Sequence, residues 1–254
     1  MDKYILITGA SSGIGAACAR RFAKEGYHLV LMARRMDRLE TIKNELAKFP
    51  VKVLLFQVDV REESQVRKAV ASFSDEVKSK LSILINNAGL AVGKGPLSDG
   101  LLEDWNRMID TNIKGLLHIS KEIIPILKTN KKGHIFNLSS IAGKEVYMDG
   151  NVYCASKHAV DALSKSMRME LVSHSIRVTN IAPGAIETEF SLVRFKGDDQ
   201  VAAAVYDGFT PLSADDVADT IYYAASLPPH VNLNDITIMP SAQASATVLN
   251  KNLV

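Results

Sequence analysis

Short, almost continuously apolar runs alternate with longer amphipathic segments along the whole chain. Seven of these runs predict β-strands, and they span residues 4–8, 28–33, 51–58, 81–86, 133–139, 176–182 and 235–240. Strands of a parallel sheet have this character because both of their faces are buried. The alternation of strand and helix favours right-handed crossovers. The pattern therefore predicts an α/β fold with a doubly wound, seven-stranded parallel sheet and helices on both faces.

Two of the predicted helices have clear ends. One spans residues 14–25 and stops at Gly26, and another begins after Ser213 as its N-cap and stops at Pro228. The longest irregular region, residues 183–211, lies between the sixth strand and the last helix. Loops of this length in compact domains are usually functional, so we expect a substrate lid at about residues 185–211. We treat residues 1–254 as a single domain.

Composition and charge narrow the possible partners. The 254 residues are 47% hydrophobic and carry a net charge of +2 without a clustered basic face, so we expect no nucleic-acid or membrane partner. No apolar run approaches the ~18 residues of a membrane span, and the first strand begins too early for a signal peptide. Cys18 and Cys154 lie in apolar helical stretches, which predicts buried thiols, a cytoplasmic location and no metal site.

A glycine-rich turn follows the first strand and leads into a helix. The segment "TGASSGIG" places Gly9, Gly13 and Gly15 where the backbone can approach a diphosphate and the helix N-terminus can hold its charge. We expect Ser11, Ser12 and Ile14 to contact the cofactor as well. A purely structural tight turn is the alternative, but its position between strand and helix favours a dinucleotide-binding, Rossmann-type turn.

The end of the second strand predicts which dinucleotide binds. Folds that use NAD usually place a carboxylate there, whereas an arginine accommodates the extra 2′-phosphate of NADP. Here the strand is followed by Arg34 and Arg35, and the nearest carboxylate is Asp37. Guanidinium groups hold phosphate through charge-assisted, forked hydrogen bonds. We therefore predict NADP(H), with a pair of solvated arginines as the alternative.

Polar residues also follow the third and fourth strands, where ligands of open α/β sheets bind. Asp59 ends the third strand, and its carboxylate is a candidate acceptor for the adenine amino group. Each such residue, taken singly, is as easily a turn former as a ligand contact. Their joint placement predicts one cofactor crevice, whose further candidate residues are Val60, Asn86, Ala88 and Gly89.

The remaining candidates are a serine, a tyrosine and a lysine beyond the fifth strand. Tyr153 and Lys157 are four residues apart and so share a helix face, although YxxxK alone arises by chance. Ser140 lies thirteen residues before Tyr153, and Asn112 lies in the preceding helix. Together with TGxxxGxG, "NNAG" and "APG", in this order, they resemble the short-chain dehydrogenase/reductase family over essentially the whole chain.

The resemblance implies an oxidoreductase in which Tyr153 exchanges a proton with the substrate oxygen while hydride passes to or from the nicotinamide ring. Lys157 would lower the pKa of the phenol and bind the nicotinamide ribose, Ser140 would stabilise the substrate oxygen, and Asn112 would hold a water next to Lys157. Ser139 is the alternative to Ser140. The family also implies a homotetramer and contacts to the nicotinamide from Pro183, Gly184, Ile186 and Thr188.

Several segments resemble a narrower branch, the NADP-dependent 3-hydroxy acid dehydrogenases, also described as serine or L-allo-threonine dehydrogenases. They include "NNAGLAVGKGP", "GNVYCASK" and "ETEFSLVRFKGDD". These enzymes act on small 3-hydroxy acids such as serine, L-allo-threonine and 3-hydroxyisobutyrate. A small anionic substrate needs a cation, for which Arg194 is our candidate, with Ser140 and Tyr153 as the other substrate contacts. An exposed, solvated Arg194 is the alternative.

Two other functions remain open from the sequence. A generic carbonyl or 3-oxoacyl reductase would share the same catalytic residues and differ only in the lid and in the loop at residues 141–150. A non-catalytic NADPH sensor would keep the glycines and Arg34 but would be free to lose Ser140, Tyr153 or Lys157. All three are present.

Overall fold

Parallel strands form the central layer of the molecule. The computed structural model describes residues 2–252 and, of Ala202, only the backbone. Over these residues the chain forms a seven-stranded sheet in the order β3-β2-β1-β4-β5-β6-β7, and every neighbouring pair is parallel. The strands are β1 (Tyr4–Thr8), β2 (His28–Ala33), β3 (Val53–Gln57), β4 (Leu81–Asn86), β5 (Gly133–Leu138), β6 (Ile176–Pro183) and β7 (Asp235–Ile238).

Helices cover both faces of the sheet. They are α1 (Gly13–Lys24), α2 (Met36–Leu46), α3 (Glu63–Ala71), α4 (Asp75–Lys80), α5 (Leu102–Ile109), α6 (Leu116–Thr129), α7 (Asn151–Leu171), α8 (Phe190–Arg194), α9 (Asp199–Ala204) and α10 (Ala214–Ser226). A π-helical turn, Asp110–Gly115, joins α5 to α6. Short 3₁₀ turns are formed by Leu97–Asp99, Ile141–Gly143 and Val172–His174.

The strands are apolar along their whole length because each face of the sheet packs into its own hydrophobic cluster. Successive side chains of a strand point to opposite faces, so Ile5 and Ile7 pack against α1, α2 and α10, whereas Tyr4 and Leu6 pack towards α3, α6 and α7. All of these strand side chains are buried. The predicted doubly wound architecture in a single domain is confirmed.

The strand order reverses between β1 and β4, and this reversal opens a crevice. Chain order runs from β1 through β2 to β3 on one side, and β4 returns to pair with the other edge of β1. Consecutive crossovers therefore diverge at this point, leaving room beyond the carboxyl ends of the two strands. The predicted cofactor residues follow these strands.

Element boundaries differ modestly from the predicted ones. The third strand is shorter than the predicted 51–58, and β7 ends at Ile238 rather than at residue 240. Helix α10 begins directly after Ser213, as predicted. A capping box fixes this start: Ser213 accepts from the backbone of Asp216, and the Asp216 carboxylate accepts from the backbone of Ser213. The region 183–211 is not wholly irregular, because it contains α8 and α9.

Between Asp2 and Asn252, none of the helices combines the length and the apolar composition that crossing a membrane requires.

Candidate active site

One large cavity of about 700 Å³ lies beyond the carboxyl ends of the strands at the strand-order reversal. The glycine-rich turn forms one end, and α7 together with the region after β6 forms the other. The predicted site residues that line it are Gly9, Ser11, Ser12, Gly13, Ile14, Arg34, Arg35, Asp59, Val60, Ala88, Gly89, Ser140, Tyr153, Lys157, Pro183, Gly184, Ile186, Thr188 and Arg194.

The glycine-rich turn is held closely against the end of β4. Gly9 has a φ of 64°, and a Cβ there would lie 2.9 Å from the Cα of Ala88, so a side chain would force the turn and the strand apart. Asn87 fixes this approach by donating from Nδ2 to the carbonyl oxygens of Thr8 (2.9 Å) and Gly9 (3.2 Å). These contacts tie the turn to the ends of β1 and β4.

Three predicted residues are not part of the cavity lining, and the side chain of one of them faces away from it. Asn86 was predicted to contact the cofactor, but its side chain is buried and donates to Ser120 (3.1 Å) and Asn137 (2.9 Å). Asn86 shares a strand face with Leu84, which packs in the cluster under α6, so the alternation of β4 turns it away from the crevice. Gly15 instead packs against the turn, where a Cβ would meet the Gly9 carbonyl oxygen at 2.5 Å.

Asn112, the third of these residues, lies behind the cavity in the π-helical turn. Its Oδ1 accepts from the Leu90 backbone (2.8 Å), and its Nδ2 donates to the Leu90 carbonyl (2.8 Å) and to Ser156 on α7 (3.0 Å). A Cβ on Gly89 would lie 3.3 Å both from Asn112 Oδ1 and from Lys157 Nζ. The asparagine therefore ties α7 to the segment after β4, beside the lysine.

Tyr153 and Lys157 lie one turn apart on α7 and are nearly inaccessible, at 8% and 6% exposure. Lys157 Nζ donates to the Leu138 carbonyl (2.8 Å), and burial lowers the pKa of this lysine to about 8. Burial also raises the pKa of the Tyr153 phenol above its ordinary value, whereas a hydrogen bond with Ser140 and the charge of Arg194 lower it.

Two cations lie near the Tyr153 ring. Lys157, which we expect to lower the pKa of the phenol, has its Nζ 6.0 Å from the ring centroid and donates to the Leu138 carbonyl. The guanidinium carbon of Arg194 lies 5.7 Å from the same centroid and 5.4 Å from that of Tyr147. Arg194 therefore supplies positive charge next to the phenol.

The two adjacent serines have different environments. Ser139 is buried and donates to the Lys157 carbonyl (2.9 Å), which occupies its hydroxyl within the protein. Ser140 lines the cavity, accepts from the Ala142 backbone (3.1 Å) and donates to the Pro183 carbonyl at the long distance of 3.4 Å, and its hydroxyl lowers the pKa of Tyr153. The geometry supports Ser140, rather than Ser139, as the residue beside a substrate oxygen.

Positively charged residues surround the opposite end of the crevice. Arg34 is exposed, whereas Arg35 donates to Ser11 (3.2 Å) and Ser12 (2.9 Å) of the glycine-rich turn. Asp59 lines the crevice, but its carboxylate already accepts from Arg61. Although burial alone would raise the pKa of Asp59, these bonds outweigh it and the pKa is lowered. The carboxylate therefore has a partner before any adenine is bound.

A backbone hydrogen bond and a neighbouring ion pair hold the segment that carries Arg194. The Gly93 amide donates to the Arg194 carbonyl (3.0 Å), and Lys196 pairs with Asp104 at 2.7 Å. The Nε atom of Arg194 is buried and has no hydrogen-bond partner among residues 2–252. A buried guanidinium N–H without an acceptor favours an anionic ligand at this position.

Several lining residues were not predicted from the sequence. Tyr147 stacks near Arg194, and Gln243 accepts from the Ala185 backbone at 2.8 Å. The segment after β7 contributes Ala246, Thr247, Leu249 and Lys251 to the cavity. Nothing in its local pattern indicates that it returns to the crevice, because the contact depends on how the chain leaves the sheet edge.

Comparison with known proteins identifies the family. The family model described as short chain dehydrogenase matches residues 3–198. The chain belongs to the short-chain dehydrogenase family.

Curated members of this family match over almost their whole length. Sulfoacetaldehyde reductase 2 of Chromohalobacter salexigens is 45% identical over 248 residues, covering 96% of both chains. Serine 3-dehydrogenase of Agrobacterium fabrum is 43% identical, covering 97% of both. An NADP-dependent 3-hydroxy acid dehydrogenase of Salmonella typhi is 40% identical, covering 95% of this chain and 96% of the relative.

Solved structures of the family agree with these relatives. The closed form of a serine dehydrogenase complexed with NADP⁺ superposes with a TM-score of 0.91 at 39% identity, covering 97% of this chain and 98% of the other. Serine dehydrogenase from Escherichia coli has a TM-score of 0.81 at 34% identity, covering 95% and 99%. The short-chain dehydrogenase fold therefore extends over nearly all of this chain.

The crevice fits a dinucleotide with an extra phosphate. The turn at Gly9 and Gly13 has positive φ and presents backbone without side chains at a helix N-terminus, as a diphosphate requires. Arg34 and Arg35 follow β2, at the position that favours a 2′-phosphate. Metal ligation has no comparable support, since residues 2–252 contain no group of three or more His, Cys, Asp or Glu arranged to hold an ion.

Proposed function

We propose that this chain interconverts small 3-hydroxy acids and the corresponding 3-oxo acids or related carbonyls. At the coarser level, the chain is an NADP-dependent oxidoreductase that acts on a CH–OH group. The observation that carries the finer proposal is Arg194, whose guanidinium lies beside the Tyr153 ring with an unpartnered, buried N–H. A cation at the reacting end of the crevice selects substrates with an anionic group close to the carbon that reacts.

Different residues along the crevice would bind different parts of the cofactor. Gly9, Gly13 and the helix behind them would hold the diphosphate, and Arg34 and Arg35 would hold the 2′-phosphate. When bound, NADP(H) supplies or accepts the hydride. Lys157, buried and still protonated at neutral pH with a pKa of about 8, would bind hydroxyl groups of the cofactor.

Tyr153 would move the proton at the substrate oxygen. Its pKa is raised by burial, so the neutral phenol is the dominant form and is suited to donate a proton to the oxygen of a carbonyl substrate. In the direction of alcohol oxidation the phenolate is needed, and Arg194 and Ser140 both favour that anion. Ser140 would also donate to the substrate oxygen and stabilise its developing charge.

The anionic group of the substrate has two chemical candidates. A carboxylate is supported by the relatives named serine 3-dehydrogenase and 3-hydroxy acid dehydrogenase, and a sulfonate by the relative named sulfoacetaldehyde reductase 2. Both groups present oxygen acceptors with a delocalised negative charge to a guanidinium. We place carboxylates first, because the lid sequence around Arg194 resembles the 3-hydroxy acid dehydrogenases.

A screen of substrates with Arg194→Ala tests the proposal. Purified protein should oxidise L-allo-threonine, serine or 3-hydroxyisobutyrate with NADP much faster than with NAD. Charge-assisted hydrogen bonds to a carboxylate contribute roughly 1.5–3 kcal/mol, so the variant should lose about ten- to a hundred-fold in kcat/KM on acids. Turnover of a neutral carbonyl of similar size should stay within a few-fold of wild type. Reduction of sulfoacetaldehyde in the same assay compares sulfonate with carboxylate.

Lys94→Ala provides the matched control, because Lys94 is a second cation that lines the crevice. It should affect acids and neutral substrates equally. An acid-selective loss in Lys94→Ala, but not in Arg194→Ala, would assign the anion to Lys94. Equal loss on both substrate classes in Arg194→Ala would favour a generic carbonyl or 3-oxoacyl reductase.

We also propose a cytoplasmic homotetramer. Cys18 and Cys154 are both free and buried, as expected for a reducing compartment. Large apolar side chains such as Leu102, Met169 and Val172 are strongly exposed in the single chain. Exposed apolar surface of this kind is typical of subunit interfaces.

A further inference from the structure

A carboxylate of the predicted lid occupies the positively charged end of the crevice. Glu189, directly before α8, pairs with Arg35 at 3.2 Å and also with Arg38 at the start of α2. Arg35 simultaneously donates to Ser11 and Ser12 of the glycine-rich turn. One side chain of the lid is therefore bound to the same guanidinium that adjoins the nucleotide-binding turn.

The charges around Glu189 would allow a phosphate to replace its carboxylate on the arginines. Two guanidinium groups face a single carboxylate, so the cluster keeps an uncompensated positive charge. The hydrogen bond from Arg38 chiefly, and then that from Arg35, lowers the pKa of Glu189, which keeps the carboxylate ionised at neutral pH. All three side chains are 41–43% exposed, so the pairs are reachable by a ligand and individually weak.

We propose that Glu189 is a specificity-determining residue that competes with the 2′-phosphate of NADP for Arg35, while Arg38 helps to hold Glu189 in that position. Binding of the phosphate would release Glu189 and thereby loosen the first turn of the lid, whereas a dinucleotide without this phosphate would leave the lid attached. Glu189 thus couples the identity of the cofactor to the position of α8, which carries Arg194. The proposal rests on the use of NADP described above.

Only one short helix, α8, separates Glu189 from Arg194. Glu189 immediately precedes α8, and Arg194 ends the same helix. Phe190 lies between them and packs with its ring centroid 5.6 Å from that of Tyr153. A change in the attachment of Glu189 therefore acts on the helix that carries a ring and a cation next to the reacting phenol.

Calorimetry with two nucleotides that lack nicotinamide tests the competition directly. Adenosine 2′,5′-bisphosphate carries the 2′-phosphate, and adenosine 5′-monophosphate is the matched ligand without it. Glu189→Gln removes the competing charge and should tighten the Kd of the bisphosphate by about three- to ten-fold at low salt, while the Kd of the monophosphate stays unchanged. The gain should shrink as ionic strength rises.

Two further variants make the result specific. Glu187→Gln is the matched control, because Glu187 is exposed on the same segment and no ion pair to it is found among residues 2–252. Its Kd values should equal those of wild type. In an Arg35→Gln background the gain from Glu189→Gln should fall by at least half, since the contested guanidinium group is gone.

Amide exchange supplies a readout of the lid. Adenosine 2′,5′-bisphosphate should speed exchange in α8 of the wild type, whereas in Glu189→Gln exchange should be fast already and unaffected by the ligand. Unchanged or weaker binding of the bisphosphate in Glu189→Gln would overturn the competition. If the wild type itself did not prefer the bisphosphate to the monophosphate, the assignment of NADP would fail together with this proposal.

Discussion

At the scale of single residues, the site depends on ionisable groups held in a buried environment. Tyr153 and Lys157 are almost fully covered, and burial disfavours the charged form of each. The phenol is therefore kept neutral, and the ammonium is retained at a cost to stability. Shifted pKa values of this kind are typical of active sites, where the groups that function needs often reduce folding stability.

Tyr153→Phe should separate binding from catalysis. The variant loses the only hydroxyl that we assign to proton transfer, and a positioned acid/base contributes at least ~10²-fold to turnover. We expect kcat to fall by that factor or more, while NADPH binding, followed by its fluorescence, changes little. Ser139→Ala is the control, because Ser139 bonds to a backbone carbonyl and not to the phenol. Near-normal kcat in Tyr153→Phe would rule out the proposed mechanism.

Lys157→Met should stabilise the nucleotide-free protein although it removes a functional residue. The methionine fills a similar volume without a buried charge, but it leaves the Leu138 carbonyl without its donor, so we expect a net gain of about 1–2 kcal/mol. The melting temperature at pH 7 should rise by roughly 2–8 °C for a chain of this length. Calorimetric melts of both proteins measure this difference.

The pH dependence of that difference has a definite sign. The pKa of Lys157 is about 8 in the folded chain against an ordinary 10.5, so the ammonium opposes folding fully below pH 8. Deprotonation removes this penalty between pH 8 and 10.5. The advantage of Lys157→Met should therefore be constant below pH 8 and should decline above it. A constant advantage up to pH 10 would contradict the assigned pKa.

At the scale of elements, the segment after β6 joins the two ends of the crevice. Glu189 attaches it near the glycine-rich turn, and Lys196 attaches it to Asp104 on α5. Between these attachments, α8 places Arg194 beside the phenol. Two short, partly exposed attachments suit an element that must open and close, because each is individually weak.

Lys196→Met should loosen the far end of this segment. The variant removes the 2.7 Å pair with Asp104, whose carboxylate is mostly buried. We expect faster amide exchange across Phe190–Arg194 and a rise in the substrate KM of about two- to five-fold, with kcat less affected. Lys43→Met on α2 serves as the control, because Lys43 does not line the crevice. Unchanged exchange in Lys196→Met would show that the ion pair does not hold the segment.

At the scale of the whole molecule, two buried clusters flank the sheet, and large apolar side chains remain on the outside. Met169 and Val172, at the end of α7 and just beyond it, are 76% and 73% exposed, and Leu102 on α5 is 69% exposed. The clusters on either side of the sheet are complete without these side chains. Association of subunits is the simplest way to bury them.

Light scattering should give a mass near four times that of one 27.7 kDa chain. Met169→Glu should shift the protein to smaller species, because a buried carboxylate at an apolar interface is unfavourable. Thr41→Glu on α2 is the control, because Thr41 is exposed and polar and so contributes no apolar surface to an interface. A wild-type mass of one chain would refute the tetramer.

Local patterns in the sequence were sufficient to predict the sheet, the helices and the strand ends that border the crevice. Periods of two and 3.6 residues are local properties, so strand faces, helix ends and the shared face of Tyr153 and Lys157 follow from neighbouring residues alone. The carboxyl ends of parallel strands meet at one edge, which is why Gly9 and Asp59 could be assigned to one cavity, whereas Thr188 was assigned from the family resemblance. Asn86 lies two residues after Leu84 on the same face of β4, so the alternation of the strand also indicates that its side chain is buried.

The partner of each polar side chain, by contrast, depends on how distant segments of the chain pack together. Ser139 and Ser140 are identical in the sequence, and their different roles depend on a carbonyl of α7 and a phenol of the same helix. The charge beside Tyr153 comes from Arg194, and Glu189 is paired with Arg35 from a different part of the chain. Such contacts join residues that are tens to more than a hundred positions apart, and no local periodicity encodes where a loop returns to the sheet.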